Sequence, residues 1–327
     1  MQLVLKRIRQ RAGARLLPFI ALALGLLPTT GCLSHTHAVE KHRRADIVIS
    51  APLDHLLKQV DDQYAGIRSM TAHVEIATRS GGSLQGEVKE SIAFSGYIIL
   101  GNPDNLNVIL QVPVIGSRAL DMVSDGKTFK MYIPRYNCAI TGSNSVVNTA
   151  QKGLYSLRPN VILDSMLIRG LTDDEVVART QDMRVIENPK KKKDLIEEPD
   201  YDLEFLSQPQ GRIARAMRVI HISRADLLPY RQDIYGNDGQ VVTQAFYSNY
   251  QKFGDVNYPT KIVIQRPLDE LGLTITIMKG TTFNQKLDAD QFKLDIPADI
   301  AHLTNMDDPA NANIKDPCAV NGPQSRH

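Results

Sequence analysis

From Leu53 to Lys279 the chain reads mostly as short runs in which apolar and polar residues alternate, and two stretches depart from that two-residue period. A period of two puts every second side chain on the same face, the signature of a half-buried β-strand. In Ser91–Leu100, Ile92, Phe94, Ile98 and Leu100 share a face. In Asn105–Val112, Leu106, Val108, Leu110 and Val112 do. Ala119–Val123 and Thr128–Ile133 continue the pattern across the turn Ser124-Asp-Gly126. Strands resume near Met183 and Asp200, then over 213–223, 229–235, 240–249, 260–266 and 272–279, with turn-forming residues between them. The run Phe292–Pro297 reads as the last structured piece. About eleven strands are expected, joined in sequence as an antiparallel meander.

The two interruptions have helical spacing. After Pro52, the residues Leu53, Leu56, Leu57, Val60, Tyr64 and Ile67 recur every three or four positions, with Asp54, Lys58, Asp61 and Asp62 opposite. After Pro159, the residues Val161, Ile162, Leu163, Met166, Leu167 and Ile168 make a second helix that is unusually apolar. Two helices cannot cover both faces of so large a sheet. The arrangement that buries the apolar face is an α+β fold: a large curved antiparallel sheet, a half-barrel, with the helices packed into its concave face. It leaves an apolar cavity where a hydrophobic ligand fits.

The start of the chain has a different character. Lys6, Arg7, Arg9, Arg11 and Arg15 precede the apolar run Leu16–Leu27, and no acidic residue occurs before Glu40. The run is shorter than the roughly 20 residues that cross a bilayer and has the length of a signal-peptide core. It stops at Thr29-Thr-Gly-Cys32, which resembles the lipobox of bacterial lipoproteins, although Thr29 stands where that motif usually has Leu. The expected division is a signal peptide over 1–31, a lipidated tether over 32–50 beginning at Cys32, a half-barrel domain over 51–300 and a C-terminal tail over 301–327. Leu33 rather than Asp follows Cys32. By resemblance to enterobacterial sorting signals this directs the chain to the outer membrane, facing the periplasm.

Charge and motif content narrow the function. Without the leader, thirty-three Lys and Arg face 36 Asp and Glu, and there is no basic stripe of the kind that binds nucleic acid. Pro189-Lys-Lys-Lys-Lys-Asp194 is a charged loop, read as a solvated hairpin tip. His35, His37 and His42 lie in the tether, where nothing fixes a metal geometry. His73 and His221 fall within strand patterns, as structural histidines do, and Asp173-Asp-Glu175 reads as a turn or helix start. No metal-ligand spacing, nucleophile elbow or phosphate-binding glycine loop is present. The expectation is a protein without cofactor, metal or catalytic residues. Beside Cys32, Cys138 and Cys318 remain, either as a disulfide that ties the tail to the body or as two free thiols.

Several segments resemble the lipoprotein-localisation (LolA/LolB-like) half-barrel family over roughly residues 52–297. The helix ending Ile67-Arg-Ser-Met70 runs directly into a strand. Ser95–Leu110 looks like the family's strand pair, and Ser124–Pro134 like the hairpin that follows. Tyr247-Ser-Asn-Tyr250 with Phe253-Gly-Asp-Val-Asn-Tyr-Pro259 is similar to its pattern of tyrosine strand, glycine turn and proline. Pro113-Val-Ile-Gly-Ser117 is similar to the receptor's exposed loop, which implies that Val114 and Ile115 touch a membrane. The resemblance implies a carrier of lipoprotein acyl chains or other lipids, with a periplasmic carrier protein as a further partner. The cavity lining expected on this basis is Phe94, Ile98, Val108, Leu110, Phe129, Met131, Leu163 and Leu167. The alternative on the same fold is an envelope sensor or assembly scaffold that transfers no ligand.

Overall fold

The computed structural model describes residues 39–144, 158–188, 191–311, 314, 317 and 318. Residues Met1–Lys41 form one unit, nearly all of it outside the described residues, Cys32 and the leader included. The second unit, His42–His327, carries the fold.

Among the described residues of this unit there is one sheet of seventeen strands. The long ones are β2 (Ser69–Gly82), β4 (Phe94–Gly101), β5 (Asn105–Gln111), β6 (Arg118–Ser124), β7 (Thr128–Ile133), β8 (Cys138–Ser143), β9 (Glu175–Asn188), β10 (Lys191–Ser207), β11 (Ala216–Ser223), β12 (Pro229–Tyr235), β13 (Val241–Phe253), β14 (Val256–Arg266) and β15 (Leu271–Ile277). Short pieces make up the rest: β1 (His42–Arg44), β3 (Glu87–Glu90), β16 (Thr282–Phe283) and β17 (His302–Asn305). These short pieces, together with β8, account for most of the excess over eleven strands. They are too brief to show a period in sequence and pair only at the margins of longer neighbours.

The ladder runs from β9 through β10, β11, β12, β13, β14 and β15 to β2, then through β4, β5, β6, β7 and β8 to β17. Its pairings are antiparallel except at β1 on β10 and β17 on β8. The alternation expected from the sequence is realised along β15, where Leu271, Leu273, Ile275 and Ile277 are buried and the residues between them are not.

Among the described residues the two α-helices are α1 (Leu53–Ala65) and α2 (Pro159–Met166). α1 turns Leu56 and Val60 inward and keeps the Lys58–Asp62 pair in solvent. α2 starts on Pro159, whose missing N–H and fixed φ suit a first helical position. It buries Pro159, Ile162, Leu163, Ser165 and Met166, as a helix that is apolar nearly all round must. Leu167 and Ile168 lie just past its end. The buried side chains of both helices belong to one core cluster with Ile98, Leu106, Met131, Phe205, Ile220 and Ile262, which come from strands spread along the whole ladder. The Tyr258 hydroxyl donates to the Met166 carbonyl at 2.8 Å and so satisfies a helix-end acceptor inside this core. Gly170, after α2, admits Asp61 from α1: a Cβ there would lie 1.6 Å from Asp61 Oδ1, which accepts from Leu171 N–H.

The C-terminal region departs from the sequence reading. Phe292–Pro297 forms no strand; Ala289–Phe292 is a 3-10 turn capped by Asp288. The last strand is instead β17, laid parallel on β8 at the sheet edge. Cys138, at the start of β8, is disulfide-bonded to Cys318 with the Cα atoms 5.6 Å apart. Thr304 of β17 donates to the Pro317 carbonyl beside that bridge. A local sequence pattern does not show this anchoring, because the partners are 180 residues apart.

Candidate functional site

A cleft of ≈ 450 Å³ lies against α2. Leu106 of β5, Ser124 at the end of β6 and Asn144 after β8 line one side, and Arg218 of β11 with Gln232 and Ile234 of β12 line the other. Asn160, Leu163 and Asp164 of α2, then Leu167 and Arg169, stand between them. β5 and β12 are separated in the ladder by β13, β14, β15, β2 and β4, so they share a cleft only because the sheet curls.

Part of the wall is apolar, from Leu106, Leu163, Leu167 and Ile234. The rest is polar and densely bonded. Arg218 grips Glu175 through two nitrogens, Nε at 3.0 Å and Nη2 at 2.8 Å, and donates to the carbonyls of Arg169 and Gly170. Its guanidinium also stacks 3.7 Å from the Phe205 ring centre. Burial would raise the Glu175 pKa, but the hydrogen bonds and charge of Arg218 outweigh it and hold the carboxyl below its ordinary value. Arg169 faces Asp104 at 3.2 Å and Asp164 at 3.3 Å. Burial dominates at Asp164 and raises its pKa despite Arg169.

Four polar atoms on this wall have no hydrogen-bond partner: Asn144 Oδ1, Asn160 Oδ1, Arg169 Nε and Gln232 Oε1. Asn144 is 8% exposed and Gln232 2%. A buried polar atom left without a partner costs about 1–3 kcal/mol, and most such atoms in folded proteins are paired.

The eight residues expected to line a cavity divide. Leu163 and Leu167 line the cleft. Ile98, Val108, Phe129 and Met131 are buried in the common core, Leu110 packs against it half-buried, and Phe94 is half-buried at the start of β4. The cleft residues that the sequence reading missed include the apolar Leu106 and Ile234 and the polar Asn144, Asn160, Asp164, Arg169, Arg218 and Gln232. Gln232 carried a signal, since a polar residue at an inward position of an alternating strand is out of place.

Val114 and Ile115 sit at the β5–β6 turn. Val114 is fully exposed and Ile115 is 76% exposed. Val114 has φ 69°, and Ile115 N–H donates to the Pro113 carbonyl at 2.8 Å. A positive φ is strained for a β-branched residue. The register places the exposed Leu84, Val88, Ile92 and Leu268 at the same end of neighbouring strands, where β2 turns into β3, β3 leads into β4, and β14 turns into β15.

A second polar cluster occupies the opposite face of β10–β12. His221 Nδ1 is 2.6 Å from Asp202 Oδ1, and its Nε2 lies 3.5 Å from Asp233 Oδ2, an ion pair without hydrogen-bond geometry. Arg231 forks onto Asp233 at 2.7 and 2.5 Å, and the Tyr230 hydroxyl donates to Asp200. Arg184 pairs with Glu198 at 2.8 Å and lies over the Tyr230 ring. Burial lowers the His221 pKa, yet the hydrogen bond to Asp202 and the charges of Asp202 and Asp233 win and raise it to about 9. Asp200, Asp202 and His221 bring ligand atoms within 4.8 Å of one another. Each is engaged with a neighbouring side chain, so the group is complete as a charge network. His73 of β2 packs edge-on to Tyr97, ring centres 4.5 Å apart. Asp174 and Glu175 both accept from the Thr172 hydroxyl in the turn before β9.

Comparison with known proteins bears on the fold. A family model described as "Uncharacterized protein" matches residues 186–295, less than half of the chain. No curated protein matches it. Solved structures do. A LolA superfamily protein from Nitrosomonas europaea aligns at 14% identity with a TM-score of 0.48, covering 75% of this chain and 99% of that one. A DUF1329 family protein from Desulfovibrio piger aligns at 15% identity with a TM-score of 0.46, covering 73% and 95%. The described residues themselves form a single large curled sheet with two helices.

Proposed function

We propose that the chain is a lipid-binding protein of the bacterial envelope, held at the outer membrane through a lipidated Cys32, that receives an acylated ligand in the cleft beside α2. The observation that carries this reading is the cleft itself. Its size falls within the range of small-molecule sites. It places the apolar side chains of Leu106, Leu163, Leu167 and Ile234 beside a group of buried polar atoms, as an amphiphile requires. Transfer needs no nucleotide: an acyl chain moves between two apolar sites according to the surface each buries, at roughly 25 cal/mol per Å². The protruding Val114–Ile115 turn and its apolar neighbours at the same end of the sheet suit contact with a bilayer surface. Strain at an exposed β-branched residue has no packing reward, which supports a role for that turn outside the fold.

A second reading, a sensor or assembly scaffold, has its own support. β9 is a sheet edge among the described residues, fourteen residues long, with Met183 and Val185 exposed. A long free edge accepts an added strand from a partner protein.

Native mass spectrometry with lipid extraction separates the two. A soluble Cys32→Ala protein isolated from the periplasm is expected to carry acylated species that are lost when Leu167 is changed to Glu. A ligand-free protein that also refuses added acyl chains, while capturing a strand-forming peptide on β9, overturns the lipid reading in favour of the scaffold.

A further inference from the structure

Resting on the lipid reading of the cleft, we infer that its ligand is recognised by a hydroxyl-bearing neutral headgroup, of the kind an acylglycerol carries, and not by its alkyl chain alone. Gln232 fixes the requirement. Its Nε2 donates to the backbone carbonyl of Asp164 at 3.1 Å, and a carbonyl can only accept. The side-chain amide therefore cannot be turned over without losing that bond, and Oε1 is the buried atom left with nothing to accept from, on a residue that borders the cleft. A ligand that completes it must bring an O–H or N–H.

Arg169 asks for the opposite. Its Nη2 is engaged by Asp104 and Asp164, while Nε–H has no acceptor. A ligand that completes both atoms carries a donor and an acceptor, as a molecule with hydroxyl and ester groups does. An alkyl chain or a simple alkyl ester cannot donate to Gln232. A fatty carboxylate cannot either, and it would meet two guanidinium groups already paired with three carboxylates, Asp104, Asp164 and Glu175. Asn144 and Asn160 add two further amides with an open oxygen at the same wall. Leu163 and Leu167, nearly fully buried, border the cleft alongside.

Equilibrium dialysis of the full-length Cys32→Ala protein against three probes of equal chain length tests this: 1-monodecanoylglycerol, methyl decanoate and decanoate. The acylglycerol is expected to bind at least tenfold more tightly than either of the others. Gln232→Leu should abolish that preference, bringing the acylglycerol down to the affinity of methyl decanoate for the same variant. Arg169→Lys, which retains the charge facing Asp104 and Asp164 but loses Nε–H, should weaken the preference several-fold. Equal binding of all three probes, or tighter binding of decanoate, overturns the headgroup assignment and leaves the cleft as an acyl site. Binding of none of them overturns the lipid reading as well. The wild-type ranking alone decides the matter should either variant fail to fold.

Discussion

Arg231, Gln232 and Asp233 are consecutive on β12, yet they belong to two differently finished polar regions. Arg231 and Asp233 point to the outer face, where each charge among Glu198, Arg184, Asp202, His221 and Asp233 has an opposite charge in reach. Gln232 points inward, to a wall where four buried polar atoms have no hydrogen-bond partner. The outer network pairs its charges, and although His221 Nε2 has no hydrogen bond it lies 3.5 Å from the Asp233 carboxylate, so the network's role is to hold three adjacent strands together. The inner wall is incomplete in the protein alone, and incompleteness inside a cleft is what a binding site looks like before its ligand arrives. A titratable cluster with a raised histidine pKa would ordinarily draw attention first. Here the plainer amides mark the proposed site.

Substitutions on the two faces should behave in opposite ways. The largest effect is expected from Asp233→Ala, which leaves Arg231 and His221 half-buried without their shared carboxylate. Urea unfolding should show a loss of about 3–5 kcal/mol, the usual result of removing one partner from a buried ion pair. Next comes the pH dependence of His221. Its folded pKa, about 9, lies above the ordinary 6.5. The stabilisation is fully present below pH 6.5 and is lost as pH rises through 9, up to about 3 kcal/mol in all. His221→Gln should flatten that part of the stability–pH curve.

On the inner wall, Gln232→Leu should change stability by no more than about 1 kcal/mol in either direction, because it removes an unsatisfied atom along with one hydrogen bond. A loss as large as that of Asp233→Ala would erase the contrast and make the cleft a structural element. The smallest effect concerns the exposed turn. Val114→Gly should raise stability by about 1 kcal/mol through relief of the positive φ, measured by thermal melting. The same variant should bind anionic or zwitterionic vesicles more weakly, since it also removes the most protruding apolar side chain.

The sequence made much of the fold legible, because alternation along strands such as β15 and the all-round apolar surface of α2 are local properties. Leu163 and Leu167 were accessible for the same reason, as was the exposed turn through its likeness to a known loop. The polar wall was not. Gln232, Asn144 and Arg169 are brought together by the curl of the sheet and by the segment that follows α2. No short-range period reports such a meeting. The His221 network was equally hidden, since Asp202 and His221 stand nineteen positions apart on paired strands. The strand β17 escaped notice because four residues carry too little pattern and its place depends on β8 and the Cys138–Cys318 bridge.

Where a ligand lodges can be read directly by NMR on protein with labelled Ile, Leu and Val methyl groups, titrated with 1-monodecanoylglycerol. The methyl signals of Leu106, Leu163, Leu167 and Ile234 are expected to shift together and saturably, while those of Ile98 and Val108, which do not border the cleft, stay in place. Saturable shifts confined to other parts of the molecule, or none at all, would contradict the assignment of the cleft beside α2 as the lipid site.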